Sequence, residues 1–170
     1  MNLHSFSLPQ VIRTLGQVNR WLDKAQEHAE QKKFDLSVLL GSRLAPDQYH
    51  FTRQVQSMSD GAKGMAARLI GEEPPSFPDT ETTVAELRAR VDKTTAYLKG
   101  LKPEQFDGAS ERRVTLSFLP GKYMLGAEYL LELALPNFYF HAASAYAILR
   151  HNGVDVGKRD FLGDITLRDL

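Results

Sequence analysis

The residues with the most chemistry to offer lie in PNFYFHAASAYAILRHNG, residues 136–153. Within a run that is otherwise apolar, Asn137, His141 and Ser144 stand at i, i+4 and i+7. In a helix these spacings set three side chains one above another on a single face. An imidazole placed there can serve as a general base or a metal ligand, with the amide and the hydroxyl orienting a substrate or a water. The same groups can instead form a hydrogen-bonded network that only fixes helix register, which is the commoner role of a lone helical histidine. Either way the stripe needs partners, because a buried polar group left unpaired costs about 1–3 kcal/mol. The residues that could face it are His50 and Gln54, i and i+4 in YHFTRQVQ, with Gln54 nearer the core. A helix-flank pair on the surface is the plainer account of those two. A transition metal such as zinc or nickel needs three or more imidazole or carboxylate ligands, and His141 with His50 supplies two.

Other candidates are weaker. Glu128 and Glu132 are i and i+4, but Leu131 and Leu135 occupy the positions where a Glu-x-x-His bundle site would put histidines, so the pair reads as a solvated face. His4, His28 and His151 sit among polar neighbours near helix ends. GVDVGKRD lacks the G-x-x-x-x-G-K-[ST] pattern of a phosphate loop. No complete catalytic signature is present, and whether the chain is an enzyme stays open.

The elements that must position these residues read as helices. Leu8, Val11, Ile12, Leu15, Val18, Leu22, Ala25 and Ala29 recur in steps of three and four, predicting a first helix from Ser7 or Pro9 to Gln31–Lys33. Pro46-Asp47 opens a second, with the stripe Phe51, Val55, Met58, Ala62, Met65, Ala66 and Leu69, closed by Gly71. The proline-rich GEEPPSFPDTETT is a loop. Thr80 or Thr82 caps a third helix with Val84, Leu87, Val91, Ala96 and Leu98, ending at Gly100. ERRVTLSF alternates with a period of two, a short extended arm, and Pro120-Gly121 turns the chain. A short helix, Gly126 to Leu135, precedes a long one from Pro136 to Asn152. That last helix is apolar on nearly every side, which makes it the expected centre of the bundle. Phe138, Tyr139 and Phe140 together cover most of its circumference, so at least one should point outward, an argument for a dimer face. The tail after Gly153 reads as a strap across the bundle end. The expectation is an all-α fold, a four-helix bundle of mostly antiparallel helices with a short extended arm before the last helices, forming one domain over 1–170.

Composition narrows the function classes. The chain has 170 residues with Lys+Arg and Asp+Glu equal at 21 each, giving no basic excess for nucleic acid. There is no cysteine, hence no disulfide and no thiolate metal site. No signal-peptide pattern is visible, and the longest uncharged run, Leu133–Leu149, is too short and too polar to span a bilayer. A cytoplasmic protein without a membrane or nucleic-acid partner is expected.

RLAPDQYHFTRQVQSMSDGAKGMAARLIGEEPP and PNFYFHAASAYAILRHNGVDVGKRDFLG resemble a bacterial family of unknown function within the DinB/YfiT-like superfamily. The resemblance implies a four-helix bundle with a long crossover connection, often a homodimer. It also implies kinship with metal-dependent thiol S-transferases, whose three-histidine site takes one ligand from the second helix and two, four apart, from the last. Here His141 matches one of the latter pair, its counterpart being Asn137 or Ala145; the second-helix position falls near Gln54 to Gln56, with His50 a turn early. The three-histidine set is therefore not intact. Two functions fit these residues. One is a non-catalytic or small-ligand-binding bundle, a likeness of the old site persisting in a cleft at Asn137, His141, Ser144 and Gln54, with no cofactor. The alternative is a metal-dependent transferase or hydrolase with a rearranged zinc or nickel site at His141 and His50.

Overall fold

A computed structural model describes residues 2–169. α1 (Leu3–Lys32) starts before the expected Ser7 or Pro9, because the Asn2 side chain accepts the His4 N–H at 2.9 Å and caps it. Pro9 consequently lies inside the helix. After α2 (Ser37–Gly41), residues 44–48 bend and turn, and α3 (Phe51–Ile70) begins at Phe51 instead of Pro46-Asp47. Gly71 closes α3 with φ +81°, its N–H reaching the Ala67 and Arg68 carbonyls. α4 (Val84–Gly100) is opened by a reciprocal capping box between Thr83 and Glu86. β1 (Arg113–Thr115) pairs antiparallel with β2 (Tyr123–Leu125), which is the extended arm expected from the alternation.

The helix break expected at Pro136 is absent. α5 (Gly126–Glu128), π turns over Tyr129–Ala134 and α6 (Leu135–His151) follow one another without a gap. A proline inside an α-helix loses one hydrogen bond and drives its ring against the carbonyl four residues back. The wider π winding just ahead of it lets the helix continue. α7 (Lys158–Leu162) lies against α1, where Trp21 stacks on Phe161 and donates to the Asp160 carbonyl at 2.9 Å.

The side-chain pairings fix the topology. α1 runs antiparallel to α4 (Asn19 with Asp92, Asp23 with Arg88), and α3 antiparallel to α6 (Gln54 with His141, Arg68 with Tyr129). α1 and α6, however, are parallel: Gln10 bonds Tyr139, Trp21 meets Tyr146, and His28 sits by Gly153. α3 and α4 are parallel too, because the proline-rich connection 71–83 carries the chain back along the bundle before α4 begins. The expectation of mostly antiparallel neighbours thus holds for half the pairs.

The most enclosed helix is α3, not α6. Fourteen of its residues are buried, against seven in α6. The apolar count misled because α6 spends part of its surface outward, with Phe140 55% exposed, whereas α3 buries polar side chains that find partners. Ser59 meets Thr94 at 2.7 Å, and Lys63 meets Asp60 at 2.9 Å. No helix among the described residues is long and apolar enough to cross a membrane.

Candidate functional site

Gln54 and His141 meet where α3 crosses α6. His141 Nδ1 lies 2.7 Å from Gln54 Oε1, and the Gln54 side chain is fully buried, so the surface-pair account of Gln54 is overturned. Its amide orientation is set from the other end. Gln54 Nε2 donates to the Tyr49 carbonyl at 3.1 Å, and a carbonyl can only accept. The remaining oxygen must then accept from His141, which puts the imidazole proton on Nδ1. Nε2 is left with a bare lone pair. It bonds no described residue, and His141 as a whole is buried, at 9% exposure. Burial, reinforced by the positive charge of Arg53, holds the imidazole below its ordinary range, so the ring is neutral at pH 7.

An aromatic collar surrounds it. The Tyr49 ring stacks near-parallel on the imidazole (6.3 Å, 11°), and Phe140 meets it edge-on (5.3 Å, 78°). Both rings are half exposed. The Arg53 guanidinium sits over Tyr49 at 5.5 Å and is itself paired with Asp79 from the proline-rich connection. From the loop to the imidazole there is thus a continuous path of Asp79, Arg53, Tyr49 and His141.

The other expected residues are placed differently. Asn137 is exposed on α6, its Nδ2 facing Gly61, where an added Cβ would come to 3.6 Å. Ser144 is buried but hydrogen-bonds to neither Gln54 nor His141. His50 is not inside α3. It caps the helix, its Nδ1 accepting the Arg53 N–H at 3.4 Å. Of the four cleft residues, only His141 and Gln54 are joined directly. No group of three His, Asp or Glu side chains able to hold a metal comes together among the described residues. His141 Nε2 is nonetheless free to serve as one ligand.

Sequence reasoning missed Tyr49, Arg53 and a charge cluster under the crossover. Arg90, its side chain 1% exposed, reaches Asp60 (2.7 Å), Asp79 (2.9 Å) and Glu81 (3.0 Å) and donates to the Pro78 carbonyl. Burial tends to raise the Glu81 pKa, but bonds from Arg90 and Gln56 outweigh it and hold the carboxyl below its usual range. The cue was present in spacing: Arg90 lies three residues after Leu87 and four before Thr94, on the buried face of α4, while the expected Ala96 is exposed.

A family model described as a domain of unknown function, DUF1993, matches residues 3–162. No curated protein matches the chain. A crystal structure of a DinB family member protein from Shewanella denitrificans is 44% identical, with TM-score 0.95 over 99% of this chain and 96% of that one. On the matched span and this structural likeness, the chain belongs to the DUF1993 family and has the DinB-like helical-bundle fold.

Proposed function

We propose that this protein is a non-catalytic, small-ligand-binding bundle whose reading head is His141 Nε2. The observation that carries the proposal is the tautomer. Gln54, locked by the Tyr49 carbonyl, holds the proton on Nδ1 and leaves Nε2 a neutral nitrogen acceptor with no partner among the described residues. The half-exposed rings of Tyr49 and Phe140 pack against the same imidazole. The ligand we propose is a flat, partly apolar molecule that donates one N–H or O–H to Nε2 and stacks on the exposed aromatic surface beside it. A homodimer burying the outward Phe140 is the quaternary state we propose, since a half-exposed aromatic beside a polar rim suits an interface.

One feature favours the alternative of a metal-dependent transferase or hydrolase. A histidine whose Nδ1–H is held by a carbonyl oxygen is oriented as metal-ligating histidines commonly are. The readings separate in one experiment on 15N-labelled protein. Donor-bearing aromatic fragments should shift the His141 Nε2 resonance, fragments lacking a donor should not, and binding should vanish in His141→Ala. Stoichiometric zinc or nickel binding lost in that variant would support the metalloenzyme instead. Silence towards fragments and metals alike would remove both.

A further inference from the structure

A cleft of about 830 Å³ lies far along α3 from His141, between the β-hairpin and the segment that leaves the helix at Gly71. One wall is the continuous stretch Arg113–Ser117 of β1 and its extension; the other includes Gly71–Pro74. The sheet has only two strands, so β1 is paired on one side by β2 and its other edge has no strand partner. Unpaired edges of this kind accept a further strand. Five charged side chains line the cleft, Arg68, Arg113, Lys122, Glu72 and Glu73, and none of them is in an ion pair among the described residues. Leu119 and Tyr123 present exposed apolar surface beside them.

The chain carries a segment with the complementary features. After α7, Asp164–Asp169 has no regular secondary structure and makes no backbone hydrogen bond among the described residues. Its only ion pair among the described residues is an exposed contact of Asp164 with Arg20. Ile165 and Leu167, two apart and therefore on one face of a strand, are both largely exposed. Ile-Thr-Leu is a strand-favouring sequence. The segment has two acidic residues and one basic; the cleft has three basic and two acidic. Gly163, at φ +67° and seated on Gln17 of α1, fixes where the segment leaves the bundle.

We infer that the cleft receives the Asp164–Asp169 segment of a second copy of this chain as an added strand on β1. Ile165 and Leu167 then cover the apolar surface of Leu119 and Tyr123, and the segment's carboxylates meet Arg68, Arg113 and Lys122. This contact is independent of the His141 site and of a dimer through Phe140.

The absence of cysteine allows a direct test on the full chain. Leu167→Cys chains are mixed with Thr115→Cys chains under mild oxidation; both positions are exposed. The expected result is a mixed disulfide dimer at least tenfold above that from Leu167→Cys with Gln31→Cys, a control position exposed at the C-terminal end of α1, the opposite end of the bundle. Adding Arg113→Glu and Lys122→Glu to the Thr115→Cys chain should abolish it. A yield equal to the control, or one unchanged by the charge reversal, overturns the inference. Cross-linking within single chains carrying both cysteines, without mixed dimers, overturns it as well, by showing that the segment returns to its own cleft. A dimer that persists through Phe140 leaves these readouts unaffected.

Discussion

Replacing Arg90 with methionine should loosen the crossover and cost a substantial part of the fold's stability. The side chain is 1% exposed and faces three carboxylates within 3.0 Å. Methionine fills most of the aliphatic volume, so the loss is electrostatic and not a cavity. Removing one partner of a buried ion pair costs about 3–5 kcal/mol, because the remaining charge is stranded. Two features reduce that here. Asp60 and Asp79 are each about one third exposed and keep Lys63 and Arg53 as partners, whereas Glu81 at 11% loses its one cationic partner among the described residues and is the carboxylate left stranded. Arg90 Nε is also buried without a partner, a penalty of roughly 1 kcal/mol or more that the variant removes. The net expectation is a loss of about 2–4 kcal/mol, out of the roughly 5–15 kcal/mol typical of a domain. At about 2–4 °C per kcal/mol for a chain of this size, Tm should fall by roughly 4–16 °C. Urea unfolding followed by circular dichroism measures the loss, and amide exchange should rise first in residues 72–83. Arg20→Met, which breaks an exposed pair, should cost less than about 1 kcal/mol. If Arg90→Met also stays below about 1 kcal/mol, or the loop remains protected, the cluster does not hold the crossover and the reasoning is wrong.

Two further outcomes follow from particular contacts. A Cβ at Gly126 would overlap the Ala109 carbonyl oxygen, a backbone atom that cannot rotate away, so Gly126→Ala should destabilise by about 1–3 kcal/mol or more, while Gly100→Ala, with open space around it, should be neutral or slightly stabilising by thermal melting. His141 titrates below its ordinary value in the folded chain, so on acidification the unfolded chain takes up the proton first; stability is full above about pH 6.5 and declines as pH falls towards the folded value, then levels off. Urea midpoints between pH 8 and 5 should show that decline, and His141→Gln should flatten it; equal slopes in both would show that the decline has another source.

Much of the architecture was legible because it rests on periodicity. Every residue of the expected α3 stripe is buried, and the two-residue alternation around Val114 located the hairpin. Boundaries were read less well where a side-chain cap competed with proline as the start signal, as at Asn2 and His50. The break expected at Pro136 failed because π winding is a backbone adjustment without a residue signature of its own. At the site, spacing identified His141 and Gln54 but could not say which neighbours would face them. Asn137 shares the helix with His141 yet is exposed, at the rim of the α3–α6 contact with its Nδ2 beside Gly61, and spacing alone does not separate the rim of a helix contact from its buried seam. Tyr49 was invisible for a simpler reason: it acts through its backbone carbonyl and by stacking, neither of which its position before α3 announces.

Ligand recognition at this site depends on which imidazole nitrogen carries the proton. Long-range 1H–15N spectra of His141 at pH 7 report this directly. The structure predicts a neutral ring protonated at Nδ1 with Nε2 bare, a preference lost in Gln54→Leu. A ring protonated at Nε2, or an imidazolium at that pH, would contradict the arrangement on which the proposed ligand site depends.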